Sequence, residues 1–223
     1  MKHIDIIIPT RNRYKKFCRC VRSIPKSIDA VTHSIIVICD GDHDTTERLI
    51  RDKNGLISEI IYIRDHRGSV FCRNLATQAV EDALIYATDD IEFKEGAIDA
   101  AIKAMHEHFP DEDGVIGFNQ VNAKSFSRAG VGLVGQKFLR RYPNRKLFYP
   151  EYFHFSCQEI ERLGNKLGKL HLAKDACIHH YHPAKNAGER DTTHVEARRY
   201  RAMDKTLSNQ RSGDKLIWGD DEG

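Results

Sequence analysis

The chain has 223 residues, of which 40% are apolar and 30% charged, and its formal net charge is only +3. That length and apolar share can bury one full core without staples, and so slight a net charge makes any cationic footprint a local matter. No stretch is long and apolar enough to span a bilayer, and Met1-Lys2-His3 leads straight into a strand-like run, so a cytoplasmic location without a signal peptide is expected. Cys18, Cys20, Cys39, Cys72, Cys157 and Cys177 form no Cys-x-x-Cys pair and match no familiar zinc set, which reads as reduced structural thiols.

In chain order, Ile4-Asp5-Ile6-Ile7-Ile8 is an apolar β-branched run that passes into Pro9-Thr10-Arg11-Asn12-Arg13. Tyr14 to Ile24 spaces Phe17, Val21 and Ile24 as on one helix face. Ser34-Ile35-Ile36-Val37-Ile38 repeats the strand pattern and ends in Cys39-Asp40-Gly41-Asp42, and Asp44-Thr45-Thr46-Glu47 can cap a helix through Leu49-Ile50. Ile60 to Ile63 reads as a third strand, and Gly68-Ser69 opens a helix through Val70, Leu75 and Val80. Leu84-Ile85-Tyr86-Ala87 then runs into Thr88-Asp89-Asp90. Continuous apolar strands alternating with amphipathic helices predict an α/β fold with a doubly wound, mostly parallel sheet and flanking helices, whose ligands bind outside the carboxyl ends of the strands. Beyond Lys185, Asn186-Ala187-Gly188 breaks the pattern, Thr193 to Leu207 could form a charged helix, and Gly219 to Gly223 should fray. The expected organisation is one domain over 1–184, with halves 1–100 and 101–184, and a helical extension over 185–223.

Two adjacent carboxylates at the end of a buried strand suit a hard divalent cation, which takes oxygen ligands and bridges protein acids to phosphates. Alone, the pair reads equally as a solvated turn or a helix cap. The motifs at Ile6–Arg13, Ile36–Asp42, Gly68–Asn74 and Tyr86–Asp90, in that order, resemble the nucleotide-sugar motifs of family 2 glycosyltransferases. The resemblance resumes in Glu159–Lys169 and in Asp175–Pro183. It implies a GT-A fold and the transfer, by inversion, of a sugar from a nucleoside diphosphate sugar, UDP-sugars favoured, to an acceptor hydroxyl with the help of Mn²⁺ or Mg²⁺. The resemblance further implies that Asp90 binds the metal, that Asp89 meets the ribose or a metal-bound water, and that Asp40 accepts hydrogen bonds from the base. Pro9, Thr10 and Arg11 would form a loop over the base, and Arg73 would reach the nucleotide. Two other readings stay open: a catalytically silent binding module on the same fold, and a nucleotide-sugar pyrophosphorylase, although Pro9 to Arg13 lacks a Gly-rich phosphate loop.

The chain departs from the family pattern at Cys39 and Thr88, where acids are common, and at Arg11, where an aromatic often stacks on the base. His180 and His182 fall on one face of the last strand and His179 on the other, and His180 is the expected metal or diphosphate contact, against the reading of an ordinary core or surface histidine. The catalytic base is harder to place. Aligning Glu159-Ile160 with the family's acid–hydrophobic pair puts Cys157 where the base should be, and an ordinary thiol is a poor substitute. Glu159 is then the expected base, with Glu151, Glu161 and His154 behind it. Finally, Gly114 to Pro150 holds Lys124, Arg128, Lys137, Arg140, Arg141, Arg145 and Lys146 and no acid. This window reads either as a solvated loop or as the footprint of an anionic acceptor, whether glycan, lipid or nucleic acid.

Overall fold

A computed structural model describes residues 1–52, 55–80, 82–154, 157–182 and 191–220. The N-terminal half alternates β1 (His3–Thr10), α1 (Tyr14–Ser23), β2 (Thr32–Asp40), α2 (His43–Asp52), β3 (Glu59–Ile63), α3 (Ser69–Thr77) and β4 (Ala83–Tyr86). There follow β5 (Ile91–Phe93), α4 (Ala97–His108), β6 (Val115–Gln120), β7 (Gly132–Val134), α5 (Gln136–Leu139), α6 (Cys157–Lys166), β8 (Leu170–His180) and α7 (Thr192–Gly213). The strands form one sheet in the order β3-β2-β1-β4-β7-β6-β8-β5.

The first four strands are all parallel, as their β-branched runs predict. Both faces of this half are covered. Ile6, Ile8, Val37 and Ile85 pack with Phe17 and Val21 of α1, whereas Ile7, Ile38, Leu84 and Tyr86 pack with Val70 of α3 and with Phe138 and Phe148. Each fully buried Ile contributes on the order of 2 kcal/mol of transfer free energy, so strand position is set chiefly by this double burial.

The other half is less regular. β7 runs antiparallel to both β4 and β6, β8 runs parallel to β6, and β5 closes the sheet antiparallel to β8. The expectation of a solvated loop over Gly114–Pro150 is corrected here: the window contains two strands and a helix. Val115, Ile116, Leu133, Phe138, Leu139, Leu147 and Phe148 are all buried. Most of its aromatics therefore serve the core, Phe118, Phe138, Tyr142 and Phe148 being buried while Phe126 and Tyr149 are partly open; just beyond the window Tyr152 is buried and Phe153 partly open. Pro183 and the Asn186-Ala187-Gly188 break lie outside the described residues. Gly219 and Asp220 are packed instead of frayed: Asp220 accepts from Lys166 Nζ at 2.8 Å.

Candidate functional site

Register brings the sequence motifs together. Thr10 pairs with Cys39 across β1 and β2, Ile7 pairs with Tyr86 across β1 and β4, and the Ala87 amide donates to the Ile7 carbonyl at 3.0 Å. Residues 10–13, 40–42 and 87–90 thus share one edge, the carboxyl edge where sheets of this type hold ligands. The turn after β3 joins them because Asp40 accepts the Arg67 amide at 2.7 Å and the Gly68 amide at 2.9 Å, with His66 Nε2 at 3.3 Å. Gly68 has φ of +86°, and a Cβ there would lie 2.5 Å from the Phe153 carbonyl oxygen, so this close approach requires glycine. Asp42, also buried, caps α2 through the Thr45 amide and holds the Asn12 amide at 2.6 Å.

Asp89 and Asp90 sit at the centre of this edge, each 3% exposed. Thr10 donates to Asp89 at 2.9 Å and Arg13 donates to it at 3.0 Å, while a terminal nitrogen of Arg13 stands 3.8 Å from Asp90. His180 lies directly opposite Ile91 in the β5–β8 pairing, which puts its Nε2 3.2 Å from Asp90; its Nδ1 is 3.1 Å from the Gln120 side-chain oxygen. The two acids respond differently to burial. Burial pushes Asp89 up to about 6 despite Arg13, and the neighbouring Asp90 charge adds to the rise. Burial acts on Asp90 in the same sense, but the hydrogen bond and charge of His180, with Arg13 behind, outweigh it and hold Asp90 far below the usual carboxylate range. Asp90 therefore ionises first, and Asp89 follows only as pH rises through about 6. His182 shares the face of His180, their rings edge-to-face at 5.6 Å, and burial pushes His182 down to about 4.

The residues present fit a divalent cation. Asp90 Oδ1 and His180 Nε2 converge at the separation of two ligands on one ion, one hard oxygen and one imidazole nitrogen. Among the described residues no three His, Cys, Asp or Glu side chains close on a single point.

Arg13 is the residue that sequence reasoning passed over, and the reason is its partner. It donates through Nε and a terminal nitrogen to Asp191 at 2.9 and 3.0 Å, across almost the whole chain. Asp191 caps α7 in a reciprocal box with His194, and α7 then lies across the site. Thr193 donates to the Arg11 carbonyl at 2.7 Å, and Glu196 accepts from Arg11 Nε at 2.9 Å. Tyr200 stacks on Phe153 at 3.6 Å and meets His66 edge-on. Asp204 accepts the Phe153 and His154 amides at 2.9 and 2.7 Å. Nothing local in the sequence pairs residues 11–13 with 191–196.

The remaining expected residues fall as follows. Pro9 and Thr10 end β1 at the site, and Arg11 lies in it but spends its guanidinium on Glu196 and on the Asp40 and Gly41 carbonyls. Arg73 is buried under the end of β4, donating to the Ala87 carbonyl at 3.1 Å, and supports the site's floor instead of projecting from it. Two expectations are corrected. Glu159 is not placed to act as a base: it is 3% exposed, and its two oxygens accept from Tyr152, from Arg211 twice and from the Trp218 amide, all within 2.9 Å. Burial alone would raise this carboxyl, but those bonds prevail and hold it below its ordinary value. Cys157 stands where the alignment put it, yet burial pushes its thiol up, leaving it neutral. The acid-free window is also not unpaired. Lys137 bonds Asp111, Arg141 bonds Asp113, Arg128 pairs with Glu161, and Arg145 donates to the Val80 carbonyl, so four of its seven cations are answered by groups outside the window.

A similar fold recurs in solved structures. TarS 1–349 of S. aureus in complex with UDP-GlcNAc matches with a TM-score of 0.66 at 16% identity over 88% of this chain. GalNAc-T7 with UDP, GalNAc and Mn²⁺ matches at 0.62 with 13% identity over 81%, and the mannosyltransferase PcManGT from Pyrobaculum calidifontis with GDP-Man and Mn²⁺ at 0.60 with 12% identity over 78%. The chain spans 61%, 44% and 55% of those proteins respectively. No curated protein matches it significantly in sequence. The structural likeness shows the fold those glycosyltransferases share, the GT-A fold. The family model described as glycosyl transferase family 2 matches residues 5–162, and the chain belongs to that family. This membership leaves no ground for the pyrophosphorylase reading.

Proposed function

We propose that the chain transfers a sugar from a nucleoside diphosphate sugar, UDP-sugars favoured, to an acceptor hydroxyl with inversion at the anomeric carbon. The observation that carries this reading is the convergence of Asp90 and His180 at 3.2 Å on the sheet edge where Thr10, Arg13 and Asp89 also meet. Asp90 and His180 would hold Mn²⁺ or Mg²⁺, which when bound supplies Lewis-acid neutralisation of the leaving diphosphate. Asp89, held by Thr10, is positioned for the ribose, and Arg13 can offer its guanidinium to phosphate oxygens if it leaves Asp191. Asp40 acts on the nucleotide indirectly, by pinning the 66–68 turn beside the base position.

Calorimetric titration of UDP and GDP with Mn²⁺, Mg²⁺ or EDTA tests this. Binding should need the metal and should fall at least tenfold in Asp90→Ala and in His180→Ala. Equal affinity in EDTA, or an Asp90→Ala variant that binds as wild type, removes the metal from the mechanism.

A further inference from the structure

β6 is apolar and buried through Phe118 and then turns polar in Asn119-Gln120-Val121-Asn122, although Gln120 is only 3% exposed. A buried amide side chain needs partners for its polar atoms, and those of Gln120 and Asn122 lie on β8. We propose that these two residues position His180, and that Gln120 decides which ring nitrogen is offered to a metal ion. This inference rests on the reading above in which Asp90 and His180 hold the ion. The pairing of the two strands brings the residues together by an irregularity. Phe118 faces Ala173, but the next residue, Asn119, faces Cys177, so that Lys174, Asp175 and Ala176 are taken up in a bulge of β8. Asn119 closes the bulge, its side-chain amide donating to the Lys174 carbonyl at 2.9 Å. Without the slip Gln120 would face Asp175. With it Gln120 faces Ile178, on the sheet face that Ile178 shares with His180.

From there the end of β6 holds both the backbone and the ring of His180. The Asn122 side chain accepts the His180 amide at 3.0 Å and donates to the His180 carbonyl at 3.0 Å. The Gln120 side-chain oxygen stands 3.1 Å from Nδ1. A carbonyl oxygen only accepts, so Nδ1 carries a hydrogen and the lone pair of the neutral ring lies on Nε2, the nitrogen 3.2 Å from Asp90. Asp90 pulls the other way, because a carboxylate beside Nε2 favours a hydrogen there, and that hydrogen would block the lone pair. Gln120 opposes it by keeping the hydrogen at Nδ1. Acceptors on the far nitrogen orient histidine ligands in this manner, and losing one typically weakens metal binding by about 10- to 100-fold.

The test titrates Mn²⁺ alone into the full chain and follows the free ion by electron paramagnetic resonance, while pulsed measurements on the bound ion detect a directly coordinated imidazole nitrogen. Wild type should show that nitrogen and His180→Ala should lack it. Gln120→Leu keeps bulk without an acceptor and should bind Mn²⁺ about tenfold or more weakly, with a diminished nitrogen signal. Gln120→Met does the same with an unbranched chain, should the leucine fail to fold. Gln120→Glu keeps an oxygen toward Nδ1, and should bind Mn²⁺ at least as tightly as wild type with the nitrogen signal intact. Wild-type affinity and an undiminished nitrogen signal in Gln120→Leu or Gln120→Met overturn the positioning role, as does a Gln120→Glu variant as weak as Gln120→Leu. A His180→Ala variant that binds Mn²⁺ as wild type does, or a wild type without the nitrogen signal, overturns the metal reading itself, and the positioning role with it.

Discussion

Asp89 shows how a single residue can be costly to the fold and useful to the site. It titrates higher in the folded chain, at about 6, than in an unfolded one. Its contribution therefore favours folding fully below about pH 4, where both states hold the proton, and fades as pH rises through 6. At pH 8 the ionised, buried acid costs up to about 3 kcal/mol, taken from a shift of roughly two units at 1.36 kcal/mol each. An Asp89→Asn variant should accordingly be more stable than wild type at pH 8 in EDTA, and equal to it near pH 4, by urea denaturation. The same variant should bind UDP more weakly. A stability difference that does not vary with pH would show that Asp89 is not held ionised against its surroundings. The acid pair was legible from sequence because a buried apolar run ending in two carboxylates is locally odd. The partition of charge between them was not, because it depends on Arg13 and His180, which arrive from other strands.

At the scale of elements, α6 and α7 are joined by a buried ion pair. Arg211 and Glu159 meet at 2.6 and 2.9 Å, their side chains 11% and 3% exposed, with Arg211 also lying over the Tyr149 ring at 3.6 Å. Removing one partner strands the other, which typically costs about 3 kcal/mol or more. Glu159→Gln should thus lower the urea midpoint markedly while leaving UDP affinity of the folded protein unchanged. Full stability combined with lost transfer would return Glu159 to the role of base. The helices themselves could be read from their apolar spacing, α1, α2 and α3 all forming where Tyr14–Ile24, Asp44–Ile50 and Ser69–Val80 predict them. The role of Glu159 could not, since an acid at the start of a helix reads alike whether it meets solvent, an acceptor or an arginine 52 residues later.

For the whole molecule, the extension that begins at 185 belongs to the fold. α7 touches the loop after β1 through Asp191, Thr193 and Glu196, the segment before α6 through Tyr200 and Asp204, and α6 itself through Arg211. A chain cut after residue 184 should therefore lose cooperative thermal unfolding by circular dichroism, having left Glu159, Arg13 and the Phe153 amide without their partners. A sharp transition within a few degrees of the intact protein would instead make α7 an appendage. The parallel half of the sheet was legible because strands buried on both faces write themselves as unbroken apolar runs. The half containing β5, β6 and β7 was not, because strands of three to six residues such as Gly132–Val134 are too short to set a pattern.

The bonds from Arg13 to Asp191 close a loop of nearly 180 residues, and closing so long a loop comes late in folding because its entropy cost precedes any reward. During synthesis, β1 to β4 can assemble while the residues that cross their carboxyl edge are still unmade. The acidic pair then faces water until the ribosome has released residue 211. The segment over 191–211, made well after the strands it crosses, is thus the one that decides when this edge is covered.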